Sequence, residues 1–162
     1  MINLKSIQNF SKEEKLKYML ILTEGQLSSE KDFIANLSNI SAIINACIQG
    51  CNWVGFYLVK DLQLVLGPFQ GLPACNRIEI GKGVCGKSVA EDKVMVVENV
   101  HEFEGHIPCD SASNSEIVIP LKKNSKIIGA LDIDSPHLGR FTELEEKYLV
   151  KLVDKLEKYY SN

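Results

Sequence analysis

The sequence is short of nearly everything that would mark a specialised class. No apolar run approaches the roughly 18 residues that a membrane-spanning helix requires, which removes integral membrane proteins with helical spans. Lysine and arginine are scattered rather than gathered, and the formal net charge is −3, so the chain lacks the basic footprint of a nucleic-acid binder. The opening residues, Met1 to Phe10, show no basic segment followed by an apolar stretch and no small-residue cleavage site. The expected compartment is therefore the cytoplasm. There is no repeat, linker or low-complexity tract, and 162 residues suit one domain.

What is present are five cysteines; Cys75, Cys85 and Cys109 are spaced ten and twenty-four residues apart and form no close Cys-x2–4-Cys pair, which argues against a structural zinc knuckle; no metal is expected. In a reducing compartment they are not a disulfide framework, so each is either a small buried hydrophobe or a reactive thiol. Cys47 and Cys51 end an apolar helical pattern and read as filler. Cys75, Cys85 and Cys109 fall at turns or in a long loop, with Cys85 at a helix start, where a thiol pKa is commonly lowered.

Periodicity places helices over 12–25 and 28–49, the second with Ser28 or Ser29 as N-cap. Strands are expected over 52–59, 63–66, 77–80, 94–97, 116–121 and 127–134, a short helix over 84–90, a long loop over 98–114, and a last helix from a Thr142 cap to about Tyr159. This order predicts an α+β domain over 1–162: N-terminal helices (1–50), an antiparallel sheet of about six strands with its loops (52–135), and a C-terminal helix (142–160).

Alternation in an extended strand puts Trp53, Gly55 and Tyr57 on one face and Val54, Phe56 and Leu58 on the core face. Two aromatics flanking a glycine can leave a slot, or they can simply cover a helix. The same alternation sends Asp132 and Asp134 away from Leu131 and Ile133, and Glu116 away from Ile117. These acids form either a solvated face or a box suited to a small cation, such as the ammonium of a free amino acid.

Two decoys fail on context. His101-Glu-Phe-Glu-Gly-His106 spaces its histidines five apart, so they cannot share a helix face as a zinc protease requires. Gly81-Lys-Gly-Val-Cys-Gly86-Lys87-Ser88 matches a phosphate-loop pattern, but the alternating strand before it and the hairpins after it are not a parallel nucleotide-binding sheet.

The succession Asn-Trp-Val-Gly-Phe-Tyr (52–57), Leu-Gly-Pro-Phe-Gln-Gly (66–71), Ala-Cys-Asn-Arg-Ile (74–78), Gly-Lys-Gly-Val-Cys-Gly (81–86), Gly-His-Ile-Pro-Cys-Asp (105–110), Ser-Asn-Ser-Glu-Ile-Val (113–118) and Leu-Asp-Ile-Asp-Ser (131–135) resembles the free methionine-(R)-sulfoxide reductases. That family is built on the GAF fold, most of whose members bind small ligands without chemistry. Pro108 departs from the small residue more usual at its position. The resemblance implies a GAF-type sheet, Cys109 as nucleophile, and Cys75 and Cys85 as resolving and auxiliary thiols. It also implies a substrate pocket of Trp53, Tyr57, Glu116, Asp132 and Asp134. It further implies free methionine sulfoxide as substrate, no bound cofactor, thioredoxin (reduced by NADPH through thioredoxin reductase) as external reductant, and a possible homodimer. The competing expectation is a non-catalytic GAF sensor of a small ligand or of redox state.

Overall fold

Ser11 opens the first helix with a reciprocal cap: its hydroxyl accepts from Glu14 N–H at 3.3 Å while the Glu14 carboxylate accepts from Ser11 N–H at 2.7 Å. In the computed structural model, which describes residues 7–107 and 110–161, this helix α1 runs Lys12–Ser29 and α2 runs Phe33–Cys47. The expected N-cap at Ser28 or Ser29 is thereby corrected. Both serines lie in the last turn of α1 and donate back to the carbonyls of Glu24 and Gln26. Asp32 caps α2 instead, accepting from Ala35 N–H at 2.8 Å.

Six strands follow: β1 Trp53–Lys60, β2 Gln63–Gln70, β3 Arg77–Glu79, β4 Met95–Val97, β5 Ser115–Lys123 and β6 Lys126–Ser135. Helix α3 (Gly83–Glu91) interrupts them after β3, a short 3-10 turn (Val100–Glu102) follows β4, and α4 (Glu143–Ser161) closes the chain. The sheet order is β3-β2-β1-β6-β5-β4, every pairing antiparallel, as expected of an α+β domain. Both tight hairpins turn on two consecutive residues of positive φ, Asp61-Leu62 and Asn124-Ser125, the geometry whose twist matches that of the strands. Strand β2 extends to Gln70, beyond the expected Leu66. Pro68 is accommodated because β3 pairs only with Gln63 to Val65 and the β1 register shifts between Gly55 and Tyr57, so no ladder bond needs the missing N–H.

The two faces of the sheet differ. Val54, Phe56, Leu58, Ile117, Ile119, Leu121, Leu131 and Ile133 face α1, α2 and α4 and form the larger core with Leu37, Ile40, Leu149 and Leu152. The opposite face carries Trp53, Tyr57, Val118 and Ala130 against Val84, Cys85 and Val89 of α3. Among the described residues no helix is long and apolar enough to cross a membrane.

One buried carboxylate ties the helical layer together. Glu145 at the start of α4 is fully buried, accepts from Thr142 N–H at 3.1 Å and meets Arg140 at 2.5 Å and Lys12 at 2.6 Å. Burial alone would raise its pKa, but the hydrogen bonds from Lys12, Thr142 and Arg140 win and hold it at about 2. Because this pKa is depressed, the stabilisation is complete above about pH 4 and is lost as pH falls towards 2. Lys12 and Arg140 stay in reach of solvent or of the Gln49 carbonyl, so Glu145→Ala is expected to cost about 1–3 kcal/mol at pH 7, and chemical denaturation at falling pH should show the gap to the parent closing.

Candidate active site

The face of the sheet under α3 is where the alternating acids point. Glu116 of β5 and Asp134 of β6 are direct cross-strand partners, and Asp132 lies two residues back on the same face, opposite Gly55 of β1. Like charges so placed repel across a ladder and are not retained for stability. They line a small cavity of about 30 Å³ together with Ile78, Val84, Cys85, His106, Ile107, Asp110 and Ser113. Among the described lining residues there is no lysine or arginine.

Glu116 and Asp132 are buried, and Asp134 is half-buried. Burial pushes the Asp132 pKa up to about 6, and burial together with the Asp132 charge pushes Glu116 and Asp134 well above the usual carboxylate range. Cys85 is the third residue of α3 and donates its thiol to Glu116 Oε1 at 3.7 Å. A helix N-terminus would normally favour a thiolate. Here burial, then the charges of Asp132 and Glu116, push the Cys85 thiol well above its ordinary value, so the expected lowered pKa is corrected: Cys85 is a neutral thiol.

Cys75 is disulfide-bonded, whereas Cys47, Cys51 and Cys85 are free thiols. Cys109, the expected nucleophile, and Pro108 lie outside the described residues. Cys47 is buried and Cys51 half-buried, and burial pushes both thiols up to about 11, as befits packing residues.

Trp53 and Tyr57 do not line this cavity. Of the two readings of the glycine between these aromatics, an open slot or a covered face, the space over Gly55 is covered: the Trp53 ring stacks on Tyr57 (centroids 5.8 Å apart) and on Phe69 of β2 (5.3 Å). A Cβ at position 55 would lie 2.4 Å from Phe69 Cβ and 2.6 Å from the Trp53 ring. The aromatics stand behind the acids as a rigid column, and the Tyr57 hydroxyl donates to the Cys75 carbonyl at 3.0 Å, fixing that cysteine's backbone to the sheet. Gly55→Ala is expected to cost about 1–3 kcal/mol in a thermal melt, because the column has to shift to admit one methyl group.

Asn52 has a role at this site that the residue pattern alone does not assign. Its amide donates to Asp110 Oδ2 at 2.8 Å and to Ser113 Oγ at 3.0 Å, so the start of β1 holds the loop that returns towards β5. The other end of that loop is held by Lys87, which donates to the Glu104 carbonyl at 2.7 Å and sits 4.7 Å over the Phe103 ring. Ser88 donates to the Lys93 carbonyl at 2.6 Å. The lysine and serine of the phosphate-loop look-alike, both on α3, are thus engaged in fastening the site, and the strand before them, β3, is antiparallel to its neighbour. His101 meets Asn114 at 2.8 Å and does not join His106 as a metal pair; His106 alone lines the cavity.

The GAF domain family model matches residues 37–158. Free methionine-R-sulfoxide reductase of Escherichia coli is 54% identical over 132 residues, covering 82% of this chain and 80% of the relative. The free methionine-R-sulfoxide reductase of Neisseria meningitidis, solved in complex with its substrate, superposes with a TM-score of 0.89 at 43% identity, covering 93% of this chain and 90% of that one. The fRMsr of Staphylococcus aureus in its reduced form gives 0.87 at 47% identity, covering 90% and 94%. The acid-lined cavity under α3, the Cys85 thiol in its wall and these likenesses agree: the chain belongs to the GAF-domain family and, within it, to the free methionine-R-sulfoxide reductases.

Proposed function

We propose that the protein reduces free L-methionine-(R)-sulfoxide to L-methionine at the cavity under α3. The observation that carries this reading is the meeting of four carboxylates (Asp110, Glu116, Asp132 and Asp134) and a thiol at a cavity whose described wall holds no lysine or arginine and, as its one basic side chain, His106, whose pKa burial lowers. Such a wall attracts a cation, and the α-ammonium of a free amino acid is one that brings a reducible side chain with it.

The chemistry is that of a thiol passing an oxygen along. The Cys109 thiolate attacks the sulfoxide sulfur, an acid of the wall protonates the sulfoxide oxygen, and oxygen moves to the cysteine as methionine departs, leaving a sulfenic acid. A second thiol condenses with it, releasing water and forming a disulfide. Cys75, already found in a disulfide, suits that role better than Cys85, which is buried and kept neutral. Reduction of the disulfide by an external dithiol restores the enzyme. Thioredoxin, recharged by NADPH through its reductase, is the reductant this reading names, with the cytoplasm as compartment and a homodimer as assembly.

The acids divide the work. Asp132, with a pKa of about 6, is ionised at neutral pH and meets the ammonium, while Glu116 or Asp134, pushed higher, retains a proton to give. If the substrate nitrogen were an amide, a buried charge would be left unpaired, so blocked substrates are refused. Turnover of the free (R) epimer, the (S) epimer and N-acetylated (R)-sulfoxide with dithiothreitol tests this. Expected is methionine from the free (R) epimer, with kcat/KM for the acetylated form lower by at least about a hundredfold. Equal turnover of the acetylated form would refute ammonium recognition, and no turnover of any would leave a ligand-sensing domain.

A further inference from the structure

The Cys85 Sγ and one carboxylate oxygen each from Glu116 and Asp132 lie within 4.8 Å of one another, all three residues buried. In tetrahedral zinc coordination, bonds of about 2.3 Å to sulfur and 2.1 Å to oxygen set a sulfur-to-oxygen separation of about 3.6 Å. Cys85 Sγ and Glu116 Oε1 already stand at 3.7 Å. Asp132 supplies an independent sign that something belongs there: it is only 5% exposed, yet its Oδ1 has no hydrogen-bond partner. A buried carboxylate oxygen without a partner is costly, and among the described residues the cavity wall offers no lysine or arginine to satisfy it.

We propose that this cluster is a binding site for one thiophilic divalent cation, Zn2+ in the first place, held by Cys85, Glu116 and Asp132 with its fourth position open to the cavity. The donor set selects the ion. One sulfur with two carboxylates suits zinc, whereas Mg2+ and Ca2+ are hard cations that take all-oxygen shells and gain little from a thiolate. The three ligands come from α3, β5 and β6, so their sequence separations carry no metal motif and only the fold assembles them. On binding, the Cys85 thiol releases its proton to solvent and the cation takes up the negative charge of the carboxylates. Metal and substrate ammonium then need the same oxygens, so zinc competes with substrate. That last consequence rests on the proposed function; the binding does not.

Co2+ serves as the spectroscopic probe, titrated anaerobically into reduced protein freed of dithiol and into the Cys75→Ser/Cys109→Ser variant, which keeps Cys85 as its pocket thiol. Expected in both is a thiolate-to-cobalt charge-transfer band with tetrahedral visible bands, saturating at one equivalent and abolished by one equivalent of Zn2+. Cys85→Ser should remove the charge-transfer band. Asp132→Asn, which serves if that variant does not fold, should weaken cobalt binding at least about tenfold. In pre-reduced parent protein, free Zn2+ at ten times its dissociation constant should raise the half-saturating sulfoxide concentration about tenfold in a single turnover. No charge-transfer band in the double variant, or a band that survives Cys85→Ser, overturns the site. Because the cobalt spectrum does not depend on turnover, failure of the reductase reading and failure of the metal site are separately visible.

Discussion

Cys109→Ser is expected to lower kcat for free methionine-(R)-sulfoxide by at least about a thousandfold while the protein still binds the substrate. A serine hydroxyl at neutral pH cannot replace a thiolate as nucleophile towards the sulfoxide sulfur, and it has no route to a sulfenic acid. The acids of the wall are untouched by the change, so calorimetric affinity for the substrate should stay within a few-fold of the parent. That split between turnover and binding also distinguishes the enzyme from a sensing domain, which has affinity but no turnover to lose. Cys75→Ser should behave differently. Its first turnover proceeds, and the protein then stalls as a sulfenic acid, which a dimedone label detects by mass spectrometry.

Glu116→Gln is expected to stabilise the protein while disabling it. Glu116 is buried opposite Asp134 and close to Asp132, and its pKa is raised well above the usual range by burial first and by the Asp132 charge next. For an acid with a raised folded-state pKa, folding takes up protons. Stability is therefore highest below the unfolded pKa of about 4.3 and falls as pH rises through the folded value. Asp132 follows the same sign, losing stability between about pH 4 and its folded value of about 6. A neutral amide at position 116 removes one such penalty and keeps an acceptor for the Cys85 thiol. Differential scanning calorimetry at pH 7.5 should show a gain of about 2 kcal/mol, roughly 4–8 °C in Tm, and a flatter dependence of Tm on pH. In the same variant kcat/KM should fall at least about a hundredfold, since the wall loses a proton donor or a charge that the ammonium meets. A stability that is paid away at a functional site is the general expectation for acids packed this closely.

The strand pattern was legible because side chains alternate. From residue order alone, Val54, Phe56 and Leu58 could be assigned to the core and Glu116, Asp132 and Asp134 to the opposite face, and the sheet places them so. What alternation cannot carry is the third dimension. Alternation leaves open whether Gly55 floors a slot or lies covered, because Phe69, which covers it, arrives from a neighbouring strand whose register depends on a bulge near Pro68, and nothing local to Gly55 encodes that. Cys85 sits at a helix start, which by itself argues for a lowered pKa. Only the fold reveals that α3 lays this residue against two carboxylates and so reverses the sign. Asn52 was within reach: it opens the motif that includes Trp53, and an amide beside a strand start that faces a loop with Asp110 and Ser113 is a natural fastener. The cap of α2 was misplaced by three or four residues because serine and aspartate both cap well, and the choice depends on where α1 ends.

The most direct measurement is a single turnover of fully reduced protein with excess free L-methionine-(R)-sulfoxide and no external reductant, with methionine and thiols counted together and the quenched protein digested without reduction. Expected is one methionine per chain, two thiols lost, and a peptide pair joined through Cys75 and Cys109, with Cys85 still alkylatable after unfolding. Methionine formed without loss of thiols, or no methionine from folded and reduced protein, would contradict thiol-dependent reduction at this site.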